Sequence, residues 1–347
     1  MDDRTISILK WRKGLKMPPV TLELFPTFDC NQNCVFCPRK HIEKDETGTV
    51  LSDKKLLYII DEASGLGVKK IDIVGGGEPF KRGICIELIK RIKESKMEGY
   101  LNTNFSMLQK KDLYSLAEMR WDYIKISLHA PNKKHDLITG NNGTFRKIIK
   151  SIKILNSYKR KFRTERPVLE FGPVLCNLNY LFVEDFIKLA HKLGVRNIFF
   201  QPLIDYKFLD GNFKLNDKQI DFLSENIEKY ESLATRLNIN FNLRTLLAHG
   251  LIEKSDKRDI KEKNYCYEPW LHMTIWPNGT YSACSFPQIN ERGILGNHSL
   301  NEIWRSPYFK KLRNKVKNGK APECCRRCVA NVVIDNINLK KRLEKVD

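Results

Sequence analysis

Residues 28–39, Phe28-Asp29-Cys30-Asn31-Gln32-Asn33-Cys34-Val35-Phe36-Cys37-Pro38-Arg39, contain three cysteines, with three residues between the first pair and two between the second. On a loop, this spacing lets three thiolates converge on one face of an iron–sulfur cube, each binding a different iron. No fourth protein ligand lies nearby in the sequence, so one iron would be open to a small molecule. Zinc is the alternative, but a structural zinc site takes four ligands, and His41 is the only histidine close by.

The same stretch resembles the signature of the radical S-adenosylmethionine (radical SAM) superfamily, C-x-x-x-C-x-aromatic-C, with Phe36 at the aromatic position. The resemblance implies a [4Fe-4S] cluster held by Cys30, Cys34 and Cys37, whose open iron chelates the amino and carboxylate groups of SAM. It also implies reductive cleavage of SAM to a 5′-deoxyadenosyl radical, which takes a hydrogen atom from the substrate. An electron donor such as flavodoxin or ferredoxin is the implied partner.

The composition is that of a globular protein. The chain has 347 residues, of which 41% are hydrophobic, and this length accommodates one large domain and a smaller one. No apolar run approaches the roughly 20 residues that a bilayer-spanning helix needs. The first sixteen residues carry charges throughout and lack the apolar segment of a secretory signal. We therefore expect a cytoplasmic location.

The chain is strongly basic. It contains 61 Lys and Arg against 41 Asp and Glu, which gives a net charge of +20 and permits an anionic partner. The basic residues are spread along the chain, and aromatic residues do not alternate with them as in a base-stacking surface. Solvent-exposed, lysine-rich helix faces are the favoured interpretation, and nucleic acid is a disfavoured partner.

Strands and helices alternate between residues 20 and 207. Such alternation predicts parallel βα units with right-handed crossovers. Six units are too few to close the usual eight-stranded barrel, so we predict an α/β fold with an open, partial (β/α)6 TIM-like barrel. Functional residues in such folds lie on the loops after the strands. The predicted strands are Val20–Thr27, Lys70–Val74, Gly99–Asn102, Tyr123–Leu128, Pro167–Cys176 and Val195–Pro202.

Three short elements after the second, third and fourth predicted strands extend the resemblance. A glycine triplet followed by Glu78 stands where the family has a "GGE" motif that binds the SAM amino group. Thr103-Asn104 resembles a "TNG" element, with Phe105 in place of its glycine, and Ser127 matches a serine that faces the ribose and carboxylate. His129 replaces a common aspartate and receives no role. The resemblance thus assigns cofactor binding to Phe36, Gly75, Gly76, Gly77, Glu78, Thr103, Asn104 and Ser127.

A second cysteine group lies near the C-terminus. Pro277-Asn278-Gly279 predicts a hairpin that brings Cys266 and Cys284 together, and Cys325 and Cys328 form a C-x-x-C unit. Four soft ligands suit zinc or a [4Fe-4S] cluster equally well. The spacing resembles the SPASM domain of many radical SAM enzymes, which implies an auxiliary [4Fe-4S] cluster on these four cysteines. No cysteine follows Cys328, so the domain resembles the shortened, one-cluster version called twitch.

The other cysteines receive separate predictions. Cys324 is left without a place among the four ligands, unless it substitutes for Cys325. A spare thiol can donate a hydrogen atom to a substrate radical, and Cys324 and Cys176 are the two candidates for this catalytic role. Cys85 is predicted to be a core residue, because it lies within an amphipathic helix.

We predict four segments: a lead at 1–19, a radical SAM partial barrel at 20–207, a helical connector at 208–262 and an auxiliary-cluster domain at 263–347. The predicted function is hydrogen-atom abstraction from a substrate C–H bond in an oxidation, epimerisation or related modification. A small molecule such as a sugar or aminoglycoside-like metabolite is favoured, because only about twenty residues precede the first strand, too few for a winged-helix leader-binding domain. The alternatives are a maturase for a ribosomally made peptide or protein, and a zinc-stabilised, basic nucleic-acid-binding protein.

Overall fold

The computed structural model describes residues 1–41, 50–204, 211–248, 266–285, 292–322, 325, 328 and 330–346. The helices are α1 Asp3–Arg12, α2 Asp53–Leu66, α3 Cys85–Glu94, α4 Lys110–Glu118, α5 Lys134–Thr139, α6 Thr144–Lys161, α7 Val183–Leu193, α8 Asp217–Glu225, α9 Ile227–Leu237, α10 Leu243–Ala248, α11 Glu268–Leu271, α12 Leu300–Trp304, α13 Pro307–Lys317 and α14 Ala330–Leu343. The strands are β1 Thr21–Leu24, β2 Lys70–Ile73, β3 Glu98–Thr103, β4 Tyr123–Ile126, β5 Val168–Phe171, β6 Val174–Leu175, β7 Asn197–Ile198, β8 Gln201–Pro202, β9 Asn240–Phe241, β10 His272–Ile275, β11 Thr280–Ser282 and β12 Gly293–Ile294.

Ten of the strands in the described residues form one sheet, in the order β12-β11-β10-β1-β2-β3-β4-β5-β7-β9. Strands β1 to β5, β7 and β9 run parallel, which confirms the predicted α/β fold and its parallel sheet. The predicted C-terminal hairpin, β10 and β11, joins this sheet through parallel pairing of β10 with β1. The C-terminal cysteine region is therefore attached directly to the barrel sheet.

Alternation along the strands separates two faces of the sheet. Leu22, Leu24, Ile71, Ile124 and Ile126 are fully buried and belong to one apolar cluster with the helices α2, α3 and α6. Because successive strand residues point to opposite faces, the intervening residues line the other, inner face. That inner face is polar, with Lys70, Asp72 and Lys125 at the alternating positions.

Two predicted strands are each divided in two. The fifth becomes β5 and β6, and the sixth becomes β7 and β8; β6 and β8 pair in a separate two-stranded sheet. Gly172 and Pro173 separate β5 from β6, and proline cannot donate a hydrogen bond to a central strand. The Pro173 carbonyl instead accepts from the Gln201 amide at 2.9 Å, which aligns the second pair of short strands.

The connector differs from its prediction at one helix. The apolar spacing predicts a single long helix for Asn216–Asn238, but the structure divides it at Asn226, whose side chain donates to the Phe222 carbonyl at 2.9 Å and shares that acceptor with its own backbone amide. The short strand predicted at 239–243 is β9, which pairs with β7 and adds a further parallel strand to the barrel sheet. The predicted segment boundaries themselves stay predictions.

The N-terminal lead forms a helix that the sequence did not predict. Asp2 caps α1 by accepting from the Thr5 amide at 2.9 Å. Ile8 packs in a small cluster with Tyr267, Leu271, Leu339 and Leu343, so the lead is held against the C-terminal region. None of the helices in the described ranges is long and apolar enough to cross a membrane.

Candidate functional site

The cysteine loop and the three shorter elements all follow neighbouring parallel strands. The cysteine loop follows β1, the glycine triplet follows β2, Thr103 ends β3 and Ser127 follows β4. Since the carboxyl ends of parallel strands meet at one edge of a sheet, the fold gathers these elements at one end of the barrel. This is the arrangement that the sequence predicted.

Backbone contacts fix the glycine loop against the cysteine loop. The Gly77 amide donates to the Thr27 carbonyl at 3.0 Å, and the Glu78 amide donates to the Asp29 carbonyl at 2.7 Å. A Cβ atom on Gly77 would lie 1.9 Å from the Asp29 carbonyl oxygen, and one on Gly76 would lie 2.8 Å from the Phe28 ring. The glycines are therefore required for the two loops to approach each other, whatever ligand they contact.

Glu78 connects the glycine loop to the turn after β3. Its side chain is buried, one oxygen accepts from the Thr103 hydroxyl at 2.6 Å, and the other accepts from the Asn104 amide at 2.7 Å. Burial raises the pKa of Glu78 to about 7, although these hydrogen bonds and one from the Phe80 amide oppose that rise. Both carboxylate oxygens are thus engaged within the protein.

The turn after β3 also reaches the cysteine loop. The Asn104 side-chain amide donates to the Asn31 side-chain oxygen at 2.7 Å, and Asn31 in turn donates to the Ser106 hydroxyl at 3.0 Å. Phe105, where the family has glycine, is fully buried and takes a left-handed φ of 59°. This backbone conformation costs about 1–2 kcal/mol for a residue with a side chain, and burial of the ring offsets it.

On its other side, the cysteine loop is held by the end of α5. The Asn33 amide donates to the Thr139 carbonyl and the Val35 amide donates to the Ile138 carbonyl, each at 2.9 Å. Cys34 lies between these two anchored residues. Backbone hydrogen bonds thus fix the loop on both sides of Cys34.

Phe36 and Cys176 lie together behind the loop. They form a buried apolar cluster with Ala130 and Ile138, and the Phe36 ring meets the edge of His129 with centroids 5.0 Å apart. Cys176 has no exposed surface, so its predicted role as a hydrogen-atom donor stays a prediction. Ser127 lies nearer to the inner face, where its hydroxyl donates to the Asn102 side-chain oxygen at 3.3 Å.

His129 and His135 form a buried pair that the sequence did not identify. The His129 amide donates to His135 Nδ1 at 3.1 Å, and the Val174 amide donates to His129 Nδ1 at 3.3 Å. Burial lowers the pKa of His129 to about 3 and the pKa of His135 to about 4. Both imidazoles are therefore neutral, and each accepts a backbone hydrogen bond that a protonated ring could not accept.

This pair predicts a loss of stability in mild acid. A histidine whose pKa is lower in the folded state contributes its full stability above about pH 6.5, and that contribution falls as the pH drops towards the folded-state pKa. The contribution of each histidine to the free energy of unfolding would fall by about 2 kcal/mol between pH 6.5 and 5. We expect His135→Asn to reduce the shift in urea midpoint between pH 7 and 5, measured anaerobically. The exposed His298→Asn is the matched control, and equal shifts in all three proteins would contradict the prediction.

The thiols of the first loop have the chemistry of metal ligands. Burial, reinforced by the neighbouring Cys37 and Cys30, raises the pKa of Cys34 to about 12. A buried thiol of this kind is a poor free nucleophile, whereas a bound cation deprotonates it outright. No group of three or more candidate ligands in the described ranges is arranged around a single metal ion. A cube differs from such a site because each thiolate binds its own iron, and the three-cysteine loop fits that group.

Two of the C-terminal cysteines flank the hairpin, since Cys266 precedes α11 and Cys284 follows β11. Burial raises the pKa of Cys266, and the charges of Glu268 and Cys328 add to that rise. Cys325 donates its amide to the Pro322 carbonyl at 3.0 Å. Cys324 lies outside the described residues, so its prediction is untested. Cys85 is buried in α3, as predicted.

The inner face of the barrel carries charged pairs that the sequence analysis did not single out. Lys125 Nζ lies 3.4 Å from Glu170, and the Tyr100 hydroxyl donates to the same carboxylate at 3.1 Å. Lys70 pairs with Asp72 at 3.0 Å on the neighbouring strand. Polar residues at alternate positions of otherwise apolar strands were the signal that could have revealed this surface.

Two of these inner-face side chains are partly exposed, whereas that of Lys125 is buried. The Lys70 side chain is 31% exposed and that of Glu170 is 24% exposed, although neither lies on the outer, helix-covered face. Asp335 of α14 is close enough to Lys70 and Lys125 to influence both pKa values, so the C-terminal helix faces this surface. The arrangement provides a polar, charge-paired surface along the inner face of the sheet.

Two family matches cover more than half of the chain. Residues 24–170 match the family described as "Radical SAM superfamily" and residues 266–329 match SPASM, described as "Iron-sulfur cluster-binding domain". A "Probable GTP 3′,8-cyclase" of Saccharolobus islandicus (strain M.14.25 / Kamchatka #1) is 28% identical over 246 residues, which is 68% of this chain and 73% of that protein. One of Thermococcus kodakarensis is 29% identical over 181 residues, 51% of this chain and 55% of that protein.

Solved structures share the fold. The chain resembles SuiB of Streptococcus suis bound to S-adenosylmethionine, with a TM-score of 0.68, 19% identity, and coverage of 88% of this chain and 70% of SuiB. It also resembles anSMEcpe with bound AdoMet, with a TM-score of 0.65, 16% identity, and coverage of 89% and 87%. The motifs, the fold and the two family matches agree. This chain belongs to the radical SAM superfamily, carries a C-terminal SPASM domain, and has SAM and [4Fe-4S] clusters as its cofactors.

Proposed function

We propose that this chain abstracts a hydrogen atom from a C–H bond of a small, polar molecule without phosphate groups, held on the inner face of the barrel. Cys30, Cys34 and Cys37 hold the SAM-binding cluster in this proposal. The auxiliary cluster is held by Cys266, Cys284, Cys325 and Cys328. When bound, the first cluster and SAM supply a 5′-deoxyadenosyl radical.

The residues around the cysteine loop have distinct roles in the proposal. The glycine backbone at 75–77 contacts the SAM amino group, and Ser127 faces the ribose and carboxylate. Glu78 acts as a positioning residue, because both its oxygens bind Thr103 and Asn104 instead of facing outward. It keeps the β3 turn in register with the cysteine loop.

The observation that carries the substrate class is the pairing of charges on the inner face. The relatives named as GTP 3′,8-cyclases suggest a nucleotide, and a triphosphate needs several cations without protein partners. Within the described ranges, both inner-face lysines already pair with carboxylates, Lys70 with Asp72 and Lys125 with Glu170. Such a surface suits hydroxyl groups, which can both donate and accept hydrogen bonds, and ammonium groups, which donate to its carboxylates.

Lys125 offers a direct test. We expect an amino sugar or aminocyclitol from a probe panel to accelerate 5′-deoxyadenosine formation above the rate with SAM and dithionite alone. Lys125→Met should reduce this acceleration by roughly tenfold or more, since a hydrogen bond to a charged group contributes about 1.5–3 kcal/mol. Its uncoupled SAM cleavage should not change, because Lys125 contacts Glu170 and Phe199, to which the proposal gives no part in binding SAM.

The outer-surface variant Lys90→Met is the matched control and should behave as the unmodified protein. Acceleration by GTP alone would overturn the substrate class in favour of a nucleotide. Acceleration only by short peptides would favour a maturase, a class to which the SuiB structure bound to its precursor peptide draws attention. Full retention of acceleration in Lys125→Met would show that the substrate binds elsewhere.

A further inference from the structure

One groove on the outer surface is basic at its rim and apolar at its base. It lies between α5 and α6 and has a volume of about 890 Å³. Its basic residues, which we call the α5–α6 basic face, are Lys133, Arg146, Lys150 and Lys153. Its apolar residues are Phe145, Ile149 and Ile154. The last three basic residues are spaced four and three apart, so α6 presents them on a single side.

The positive charges of this face are not neutralised within the described part of the chain. None of the ion pairs found there involves any of the four basic residues, and all four side chains are exposed. Asp136 is the one acidic residue lining the groove. Its carboxylate accepts from the Gly143 amide at 2.8 Å and the Phe145 amide at 2.7 Å, so it caps α6 and does not pair with the rim.

Helix α5 of this pair contacts the cysteine loop. The Thr139 and Ile138 carbonyls of α5 accept the Asn33 and Val35 amides on either side of Cys34. On the outer side of α5, Leu137 is 71% exposed, although it is next to the buried Ile138. A single turn of helix therefore separates an exposed apolar residue, beside a basic rim, from the loop of the first cluster.

We propose that the α5–α6 basic face is the docking surface for an acidic, one-electron carrier protein of the flavodoxin or ferredoxin class. The proposal rests on the proposed function, since SAM cleavage consumes one electron per turnover. The reduced carrier is oxidised by one electron, the enzyme is reduced by that electron, and no bond between the two proteins forms or breaks. Opposite charges steer the encounter, and Leu137 with the groove base provides the apolar centre.

Nucleic acid fits this face less well. Its aromatic residue, Phe145, is only partly exposed and does not alternate with the cations, so a platform for stacking bases is absent from the described groove. Binding of a nucleic acid does not require a surface close to the cysteine loop. Electron transfer does, because a short distance between the carrier and the first cluster makes the transfer faster.

The test uses the anaerobically purified holoenzyme and a recombinant bacterial flavodoxin. We expect calorimetric titration to show binding that weakens with salt, and Lys150→Glu/Lys153→Glu to weaken it by at least roughly tenfold. Flavodoxin-driven 5′-deoxyadenosine formation should fall in parallel, whereas dithionite-driven formation should not. Leu137→Ser, at an exposed site, should weaken binding without changing the salt dependence.

Lys310→Glu/Lys311→Glu in α13 is the matched control, with the same change in net charge on exposed residues. If both double variants weakened flavodoxin binding equally, the loss would be an effect of the overall net charge, and the proposal would be overturned. Weakening in the control alone would place the docking surface on the C-terminal region. Binding of a single-stranded RNA probe through Lys150 and Lys153, with none of flavodoxin, would also overturn it. Failure of dithionite to drive SAM cleavage would overturn the proposed function and leave the binding result to be judged separately.

Discussion

Cys34→Ala is expected to remove about four of the roughly eight irons that two [4Fe-4S] clusters bring to each chain. Cys34 lies in the middle of the anchored loop, and its loss leaves two thiolates where the cube needs three. Formation of 5′-deoxyadenosine from SAM and dithionite should become undetectable. Iron and zinc analysis after anaerobic purification, together with chromatography of the SAM products, measures both effects.

Two variants make this result specific. Cys85→Ala removes a buried cysteine of α3 and should keep both the iron content and SAM cleavage. Cys266→Ala should also remove about four irons, but it should leave some uncoupled SAM cleavage at the first cluster. If the unmodified protein contained zinc in place of iron and formed no 5′-deoxyadenosine, the assignment as a radical SAM enzyme would be contradicted. The zinc-stabilised nucleic-acid-binding alternative would then be favoured.

The hydrogen-atom donor prediction requires a separate experiment. If Cys176 or Cys324 donates a hydrogen atom to a substrate radical, its replacement by alanine should stop product formation while SAM cleavage continues. Cys176 is fully buried in the apolar cluster that contains Phe36. To donate a hydrogen atom, its thiol would therefore require the substrate to reach that apolar cluster. Unchanged turnover in both alanine variants would eliminate the role.

The local patterns were sufficient for the element order and for the cysteine loop. Apolar alternation in 70–74 and 123–128 depends on neighbouring residues only, and both strands appear with nearly the predicted bounds. The break at Asn226 was missed because a side-chain hydrogen bond, not the apolar period, ends α8 there. Helix α1 was missed because its stability comes from contact with residues more than 250 positions away, such as Tyr267 and Leu339.

The site shows the same division between local and long-range information. The order of the cysteine, glycine, Thr103 and Ser127 elements followed from the sequence. The engagement of Glu78 by Thr103, and the pairing of Lys125 with Glu170 across neighbouring strands, depend on strand register and could not be read from spacing. Charged residues within apolar strands, such as Lys125, could nevertheless have revealed the inner face.

Gly77→Ala is expected to reduce SAM cleavage by at least roughly a hundredfold, which corresponds to about 3 kcal/mol. Its Cβ atom would lie 1.9 Å from the Asp29 carbonyl oxygen and 2.6 Å from the Phe28 carbonyl carbon, both of which are backbone atoms. Backbone cannot move aside as the end of a flexible side chain can, so the two loops would separate. The hydrogen bonds from the Gly77 and Glu78 amides to the cysteine loop would be lost with that movement.

The control is Gly83→Ala, because a Cβ atom there meets nothing within 4 Å. Gly83 lies shortly after the same loop, so this variant tests whether any added methyl group in the region is harmful, and it should keep normal SAM cleavage. The iron content decides how Gly77→Ala acts. Retained iron with lost SAM binding, measured by equilibrium dialysis, would show that the glycine loop contacts SAM, whereas loss of about four irons would show that its main task is to position the cysteines. Normal SAM cleavage in Gly77→Ala would contradict both roles, because it would mean that the close approach of the two loops is not needed.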